Sequence, residues 1–394
     1  LERVVIIAAK RTAIGKFGGQ FKSLSAVDLG VACLKGLLAT VPAGVAQVDQ
    51  VLLGNVLSAG LGQNPARLVA QGAGLAPQVT ASTINDVCGS SLKALRFAQL
   101  TLAVGAARAI VVGGIESMSQ APLLLARPPK KAPVDRTGAL TDSLFHDGLT
   151  DTLTDQAMGA QVEVLAQTRG ITRQAQDQYA ARSHEKAAAA TAAGLFADEI
   201  IPVQVADQWI TQDESIRAAT TPAALAKLAP VFADQGTITA GNSSPLNDGA
   251  SMVLLATERV AQEQGWPIAA YLEEFSEVGA PSPEFGITPV AAVRSVLAQA
   301  HLTMDAIDLV ELNEAFAAQA LAVQTDLQIP ADKLNRCGGA LALGHPLAAS
   351  GTRLVTTLLS EMRRQELTDG LVTLCIGGGQ GIAWHLRREK TEAR

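Results

Sequence analysis

The sequence is poor in aromatic residues, 4% of 394, and in charged ones, 17%, while 48% of it is hydrophobic. Its core must be built of small and branched side chains, and intrinsic disorder is excluded. It also lacks an excess of positive charge. A net charge of −6 leaves no global field to attract nucleic acid or an acidic membrane surface, so any anionic ligand has to be held by local features. Cysteines are few: Cys33, Cys88, Cys337 and Cys375 lie far apart with no Cys-x-x-Cys pair. That argues against a disulfide scaffold or a structural zinc site and fits a reducing compartment. Long apolar runs are missing as well. The stretch around Thr101–Ile115 is broken by Arg108 and by glycines, short of the ~18 uninterrupted apolar residues of a membrane span. The N-terminal LERVVIIAAKRTAIG has no basic segment leading into a long apolar one, and Lys10 and Arg11 close its run after a strand's length. The expectations are no signal peptide, no membrane association and a cytoplasmic location.

Glycine, by contrast, is plentiful at 35 residues, which signals many tight turns. At roughly 100 to 200 residues per domain, the length suggests two or three domains or one large α/β unit. Short apolar runs at Val4–Ala9, Ala109–Val112 and Leu371–Ile376 read as buried strands, separated by helical stretches such as Ser90–Ala107, where Leu92, Leu95, Ala98 and Leu102 fall at helical spacing. This alternation predicts a layered α/β fold. After Met118 the composition shifts: ARPPKKAPVDRTG is rich in proline and cations, and Gln174–Ala193 is an alanine-rich helical pattern. Residues 119–240 therefore read as an excursion from the core. Arg127, Lys130, Lys131 and Arg136 against Asp135 form a basic patch that is either a solvated loop or a docking surface for an anionic ligand or a second subunit. A weak internal echo is also present. A small-residue turn around Cys88 leads through a helix to the strand AIVVGG, and a turn around His345 leads through a helix to LVTLCIGGG. Two such units facing each other would bring both turns to one site.

Four segments could carry chemistry. In NDVCGSSLKAL, Cys88 sits just before a helix, where the macrodipole and free N–H groups favour thiolate. A lone free cysteine is nonetheless most often an inert core residue. In GGALALGHPLAASG, His345 is held on a stiff turn by Pro346 and flanking glycines, where it could deprotonate a thiol. In LVTLCIGGGQG, Cys375 nears the end of a buried strand, and Gly377 to Gly379 present backbone N–H groups in the manner of an oxyanion hole. In IDLVELNEAFAAQA, Asn313 and Glu314 follow an apolar strand and could project into a cleft, or Asn313 could cap a helix. Together these describe acyl transfer with carbanion chemistry better than hydrolysis.

In order along the chain, RTAIGKFGG, NDVCGSSLKA, GGIESMSQAP, GLTD, AGNSSPLNDGA, ELNEAFAAQ, GGALALGHP and CIGGGQG resemble the thiolase family of acetyl-CoA acetyltransferases and 3-ketoacyl-CoA thiolases. The resemblance implies an αβαβα layered fold of two similar core halves, 1–118 with 241–270 and 271–394, and an inserted loop domain, 119–240, for coenzyme A binding and oligomer contacts. It implies that Cys88 accepts the acyl group after His345 removes its proton, and that Cys375 is the base for C2 of acetyl-CoA. One oxyanion site would use His345 with a water held by Asn313, the other the N–H groups of Cys88 and Gly377. Arg217 would lie near the nucleotide, Ser244 and Ala240 along the pantetheine, and Leu149, Met158, Phe232, Ala315 and Phe316 along the channel. No metal and no tightly bound cofactor are implied; coenzyme A and acetyl-CoA are substrates, and a homodimer or tetramer is expected.

The chain departs from the family pattern at Ala157, where many short-chain members have His, and at Ala348, Cys337, Pro245, Phe285 and Ala224. None of these removes a catalytic group. The expected activity is condensation of two acetyl-CoA to acetoacetyl-CoA. The alternatives are a degradative enzyme for longer 3-ketoacyl chains and a non-catalytic acyl-CoA or lipid-binding protein. A metal site built from Cys88, His345 and Cys375 is disfavoured by the lack of short ligand spacing.

Overall fold

The structure is a computed structural model that describes residues 2–41, 48–127 and 138–389. Lys130, Lys131, Asp135 and Arg136 of the basic patch lie outside the described residues.

Strands form where apolar side chains alternate between two faces. They are β1 (Val4–Thr12), β2 (Gln50–Gly54), β3 (Thr80–Ile84), β4 (Ala109–Ser117), β5 (Asn247–Thr257), β6 (Ala270–Gly279), β7 (Leu309–Leu312), β8 (Asp369–Ile376) and β9 (Gln380–Arg387). They pair in the order β7-β8-β9-β6-β1-β5-β4-β2-β3. The two halves of this path join at Val5–Tyr271 and Ile6–Ala270. In the N-terminal half β2 runs parallel to β3 and β4, and β4, β5 and β1 are antiparallel neighbours. The C-terminal half repeats the plan with β7 parallel to β8 and with β8, β9 and β6 antiparallel. There, a single parallel bridge between Val310 and Leu334 stands where β3 flanks β2 in the first half.

Helices cover both outer faces and fill the space between. On one side, α1 (Ala26–Ala39) and α2 (Pro65–Gly72) pack Leu29, Leu34 and Val69 on Val5, Ile7 and Leu254. Helix α1 starts in a capping box in which Ser25 and Asp28 exchange hydrogen bonds. In the middle, α3 (Ser90–Ala103) brings Leu92 and Leu95 against Val4, Ile6 and Val253. Further along, α4 (Met158–Thr168) and α5 (Arg173–Ala192) belong to the excursion. On the far side, α6 (Thr288–Ala300) and α7 (Ala317–Leu327) pack Val293 and Val323 on Leu371. Beside α3, α8 (Ser350–Arg364) carries Leu354 and Leu358 into the same central cluster as Val372 and Trp384. The layers are helix, sheet, helix, sheet, helix. No helix among the described residues is long and apolar enough to cross a membrane.

Two boundaries differ from the sequence reading. Helix α3 ends at Ala103, four residues early, with Gly105 at positive φ closing it. Strand β1 runs on through Lys10 and Arg11 to Thr12, because Arg11 is fully buried with partners. Its Nε donates to Glu199 at 2.7 Å and its two terminal nitrogens to both oxygens of Asp213 at 2.7 and 2.9 Å. Glu199 also accepts from Thr357 on α8 at 3.3 Å, so the network ties the excursion to both halves. Replacing Arg11 by methionine leaves two buried carboxylates uncompensated, and urea denaturation is expected to show a loss of about 3–5 kcal/mol. A loss below about 1 kcal/mol would mean that the network is no more than an exposed pair in effect.

Candidate active site

Cys88 lies in the turn between β3 and α3. Val87 before it has φ 46, a conformation a β-branched residue adopts only under constraint. The constraint is visible: Val87 N–H donates to Asn85 Oδ1 at 3.0 Å, and the Ser90 hydroxyl donates to Val87 O at 2.6 Å while accepting from Asp86 N–H at 2.9 Å. Gly89 is required for a different reason. A Cβ there would lie 2.3 Å from Ile376 Cδ1, so glycine lets this turn reach the end of β8 beside Cys375 without displacing the Ile376 side chain.

His345 sits on the turn before α8. Its N–H donates to Asn247 Oδ1 at 2.9 Å, and Asn247 is itself anchored to Gly15 O at 2.9 Å and Ser215 Oγ at 3.1 Å. Nδ1 lies 2.5 Å from Ser350 Oγ, and that hydroxyl donates to Pro346 O at 3.2 Å. The hydroxyl therefore accepts from Nδ1–H, which assigns the tautomer and leaves Nε2 as the acceptor. Nε2 is 3.3 Å from Cys88 Sγ and 3.4 Å from Asn313 Nδ2.

Burial decides the charges. It pushes the Cys88 thiol up to about 12, with the negative charges of Glu116 and Asp86 adding to it and the N–H groups of Gly377 and Cys88 opposing it. The thiolate expected from the helix N-terminus is thus overruled by desolvation. Cys375 is pushed higher still by burial and by its neighbour Cys88. Burial and the charge of Arg353 lower His345 to about 3. At neutral pH a thiol faces a neutral imidazole, and an ion pair forms only when a reaction demands it.

Cys88, His345, Cys375 and Gly377 border one cavity of about 1050 Å³. Arg217, Ala240, Ser244 and Leu149 border it too, as do Met158, Phe232, Ala315 and Phe316. The rings of Phe232 and Phe316 meet edge to face at 6.1 Å. Asn313 does not line the cavity. It is fully buried behind His345, its N–H bonded to Thr373 O at 3.0 Å and its Oδ1 without a hydrogen-bond partner among the described residues. It does not cap α7 either, since that helix is preceded by Phe316. Glu314, expected in a cleft, is instead clasped inside the protein by Tyr179 (3.2 Å), Ser183 (2.7 Å), Asn335 (2.8 Å) and Leu341 N–H (3.2 Å). Of the departures, Ala157, Pro245 and Phe285 border the cavity; Ala348 and Cys337 are buried, and Ala224 is exposed on the short helix Pro222–Leu225.

Sequence reasoning missed three supporting residues although their motifs were in view. Ser350 and Asn247 orient His345 as described. Asp151, in GLTD, fastens the cavity rim by accepting from Gln161 at 2.6 Å, Thr154 at 2.9 Å and the Ser282 hydroxyl. The available signal was their place inside the motifs, Ser350 between Ala349 and Gly351 being the one set among small residues.

Residues 4–259 match the thiolase N-terminal domain and residues 266–388 the thiolase C-terminal domain. The chain belongs to the thiolase family. With the family comes its class of chemistry, acyl transfer. This thiolase is 46% identical to an acetyl-CoA acetyltransferase of Pseudomonas aeruginosa, over 99% of this chain and all of the relative. It is 42% identical to a probable acetyl-CoA acyltransferase of Staphylococcus aureus, over 97% of this chain and 98% of the relative. Among solved structures, an acetyl-CoA acetyltransferase from Bacillus anthracis superposes with a TM-score of 0.94 at 35% identity, covering 98% of this chain and 99% of the other. A thiolase from Ascaris suum in complex with coenzyme A superposes at 0.92 and 36% identity, covering 98% of this chain and all of the other.

Proposed function

We propose that this thiolase condenses two molecules of acetyl-CoA into acetoacetyl-CoA and coenzyme A, reversibly, through an acetyl group carried on Cys88. The observation that carries the reading is Cys88 Sγ 3.3 Å from His345 Nε2 in a cavity that also admits Cys375. His345 takes the Cys88 proton as the sulfur attacks the first thioester carbonyl. The departing coenzyme A thiolate takes a proton from Cys375, leaving a thiolate there. That thiolate removes a proton from C2 of the second acetyl-CoA, and the carbanion attacks the Cys88 thioester. Acetoacetyl-CoA leaves, and the Cys88 sulfur recovers its proton from His345. A buried base with a raised pKa suits a weakly acidic C–H. The N–H groups of Cys88 and Gly377 would stabilise the oxyanion at the acyl-cysteine, and His345 with Asn313 the one at the coenzyme A thioester.

Arg217 would meet the nucleotide end of coenzyme A, Ser244 and Ala240 the pantetheine, and Leu149, Met158, Phe232, Ala315 and Phe316 the channel walls. Coenzyme A is then substrate and product, with no resident cofactor, and the working location is the cytoplasm. In this reading residues 1–118 with 241–270 and residues 271–394 are the core halves and 119–240 the loop domain. A homo-oligomer is part of the proposal: the exposed Leu123 and Leu140 on the paired segments Leu123–Leu125 and Leu140–Asp142, and the free edge of β3, are surfaces a second copy would cover.

The Staphylococcus aureus relative's broader name favours a second reading, in which longer 3-ketoacyl chains are the substrates. Thiolysis rates separate the two. With coenzyme A saturating, kcat/KM for acetoacetyl-CoA is expected to exceed that for the six-carbon 3-ketoacyl-CoA by about 10-fold or more, since each methylene pair is worth only a few kcal/mol in a close-fitting pocket. The opposite order would establish the degradative reading. No thiolysis of any chain would leave acyl-CoA binding as the function.

A further inference from the structure

The motif GGIESMSQAP places a carboxylate, Glu116, that the reaction above does not use. It is completely buried, no cation among the described residues is bonded to it, and it lies near the end of β4. Its hydrogen bonds all come from N–H groups. Oε1 accepts from Asn55 Nδ2 at 3.0 Å and Leu57 N–H at 3.1 Å, and Oε2 from Val56 N–H at 3.3 Å and Ala348 N–H at 3.0 Å. Four donors and no acceptor fit the ionised carboxylate, because a protonated one would turn an O–H toward an N–H.

These four bonds connect the two sides of the candidate site. Ala348 belongs to the turn Leu347–Ala349 that directly follows His345 and Pro346. Val56 and Leu57 belong to the segment after β2, in the other half of the core. Cys88 packs in one apolar cluster with Val56, Leu57, Leu347 and Ala348, the residues whose backbone Glu116 holds and their neighbour. The turn also sits hard on β4: a Cβ on Gly114 would lie 1.9 Å from Ala348 O, so the strand offers glycine where the turn touches and glutamate where it is bonded.

We propose that Glu116 is a positioning residue for the Cys88–His345 pair, fixing the turn that carries His345 and the apolar shelf on which Cys88 rests. The inference rests on the assignment of Cys88 and His345 but not on the identity of the acyl chain. Its charge has a second effect. It is felt at Cys88, where it favours the thiol, and the other groups near it are Asp248 on β5, itself held by Ser119, and the His345 turn. Burial, with the charge of Asp248 adding to it and three backbone N–H groups opposing it, raises Glu116 to about 7.

The test compares Glu116→Gln and Glu116→Asp with the unaltered protein. Glutamine turns an NH2 toward N–H donors and removes the charge; aspartate keeps the charge and shortens the reach. In Glu116→Gln, kcat for acetoacetyl-CoA thiolysis is expected to fall about 10- to 100-fold through misplacement of the pair, with KM changed less than about twofold. The pH midpoint for alkylation of Cys88 by iodoacetamide, read by peptide mass spectrometry, should move down by about one unit as the negative charge disappears. Glu116→Asp should restore the alkylation midpoint and part of kcat. Unchanged kcat with an unchanged midpoint overturns the proposal, as does a fall in stability with neither readout altered. If Glu116→Gln does not fold, Asn55→Ala, which removes one of the four donors and keeps the charge, is expected to lower kcat without lowering the alkylation midpoint, and a wild-type kcat there would overturn the proposal. The two readings fail separately. A shifted midpoint in a protein that cleaves no 3-ketoacyl-CoA would keep Glu116 in its role and remove the thiolysis.

Discussion

Replacing Cys88 by serine is expected to lower thiolysis of acetoacetyl-CoA by at least about 10³-fold, with the protein still folded and still binding coenzyme A. The sulfur is the attacking atom, and serine keeps the shape while supplying a hydroxyl that is a poorer nucleophile and a poorer leaving group. The surroundings give serine no help. Burial lowers His345, and a hydroxyl is a weaker acid than a thiol, so the imidazole activates serine less than it does cysteine. Activity within about 10-fold of the unaltered protein would show that the acyl group never resides on residue 88.

Replacing Cys375 by alanine is expected to separate the two half-reactions. The acetyl group should still reach Cys88, because the Cys88–His345 contact at 3.3 Å is untouched. Carbon–carbon bond formation and cleavage should fall at least about 10³-fold, because alanine removes the thiolate that takes the C2 proton. Quenched-flow detection of acetylated Cys88 in a protein that makes no acetoacetyl-CoA is the expected result. Loss of acetylation together with condensation would show that the proton Cys375 gives to the departing coenzyme A is indispensable for the first step and cannot come from water. Exchange of labelled coenzyme A into acetyl-CoA offers the same distinction at equilibrium.

Legibility in the sequence followed the physics of each residue. Cys88, His345 and Cys375 stood out because reactive side chains beside glycines and helix starts have a local signature, and the echo between the two turns foretold their meeting. The layered fold was legible from alternating apolar runs, whose two faces Val4 and Val5 occupy in turn. Charge states were not legible. The helix N-terminus argued for a Cys88 thiolate, but burial, which no local pattern reports, outweighs it. Arg11 read as the end of a strand because its carboxylate partners are some 190 and 200 positions away along the chain. Glu314 and Asn313 read as cleft residues, and only the packed structure shows one clasped by four donors and the other held behind the imidazole. Glu116 left no trace beyond its motif, since its donors come from two separated segments, 55–57 and Ala348.

The central claim is that acyl transfer passes through Cys88. Incubating the protein with acetyl-CoA alone, quenching in acid and mapping peptides by mass spectrometry tests it most directly. One acetyl group on the peptide containing Cys88, removed by adding coenzyme A, is the predicted result. An unmodified Cys88 in a sample that turns over acetoacetyl-CoA would contradict the account.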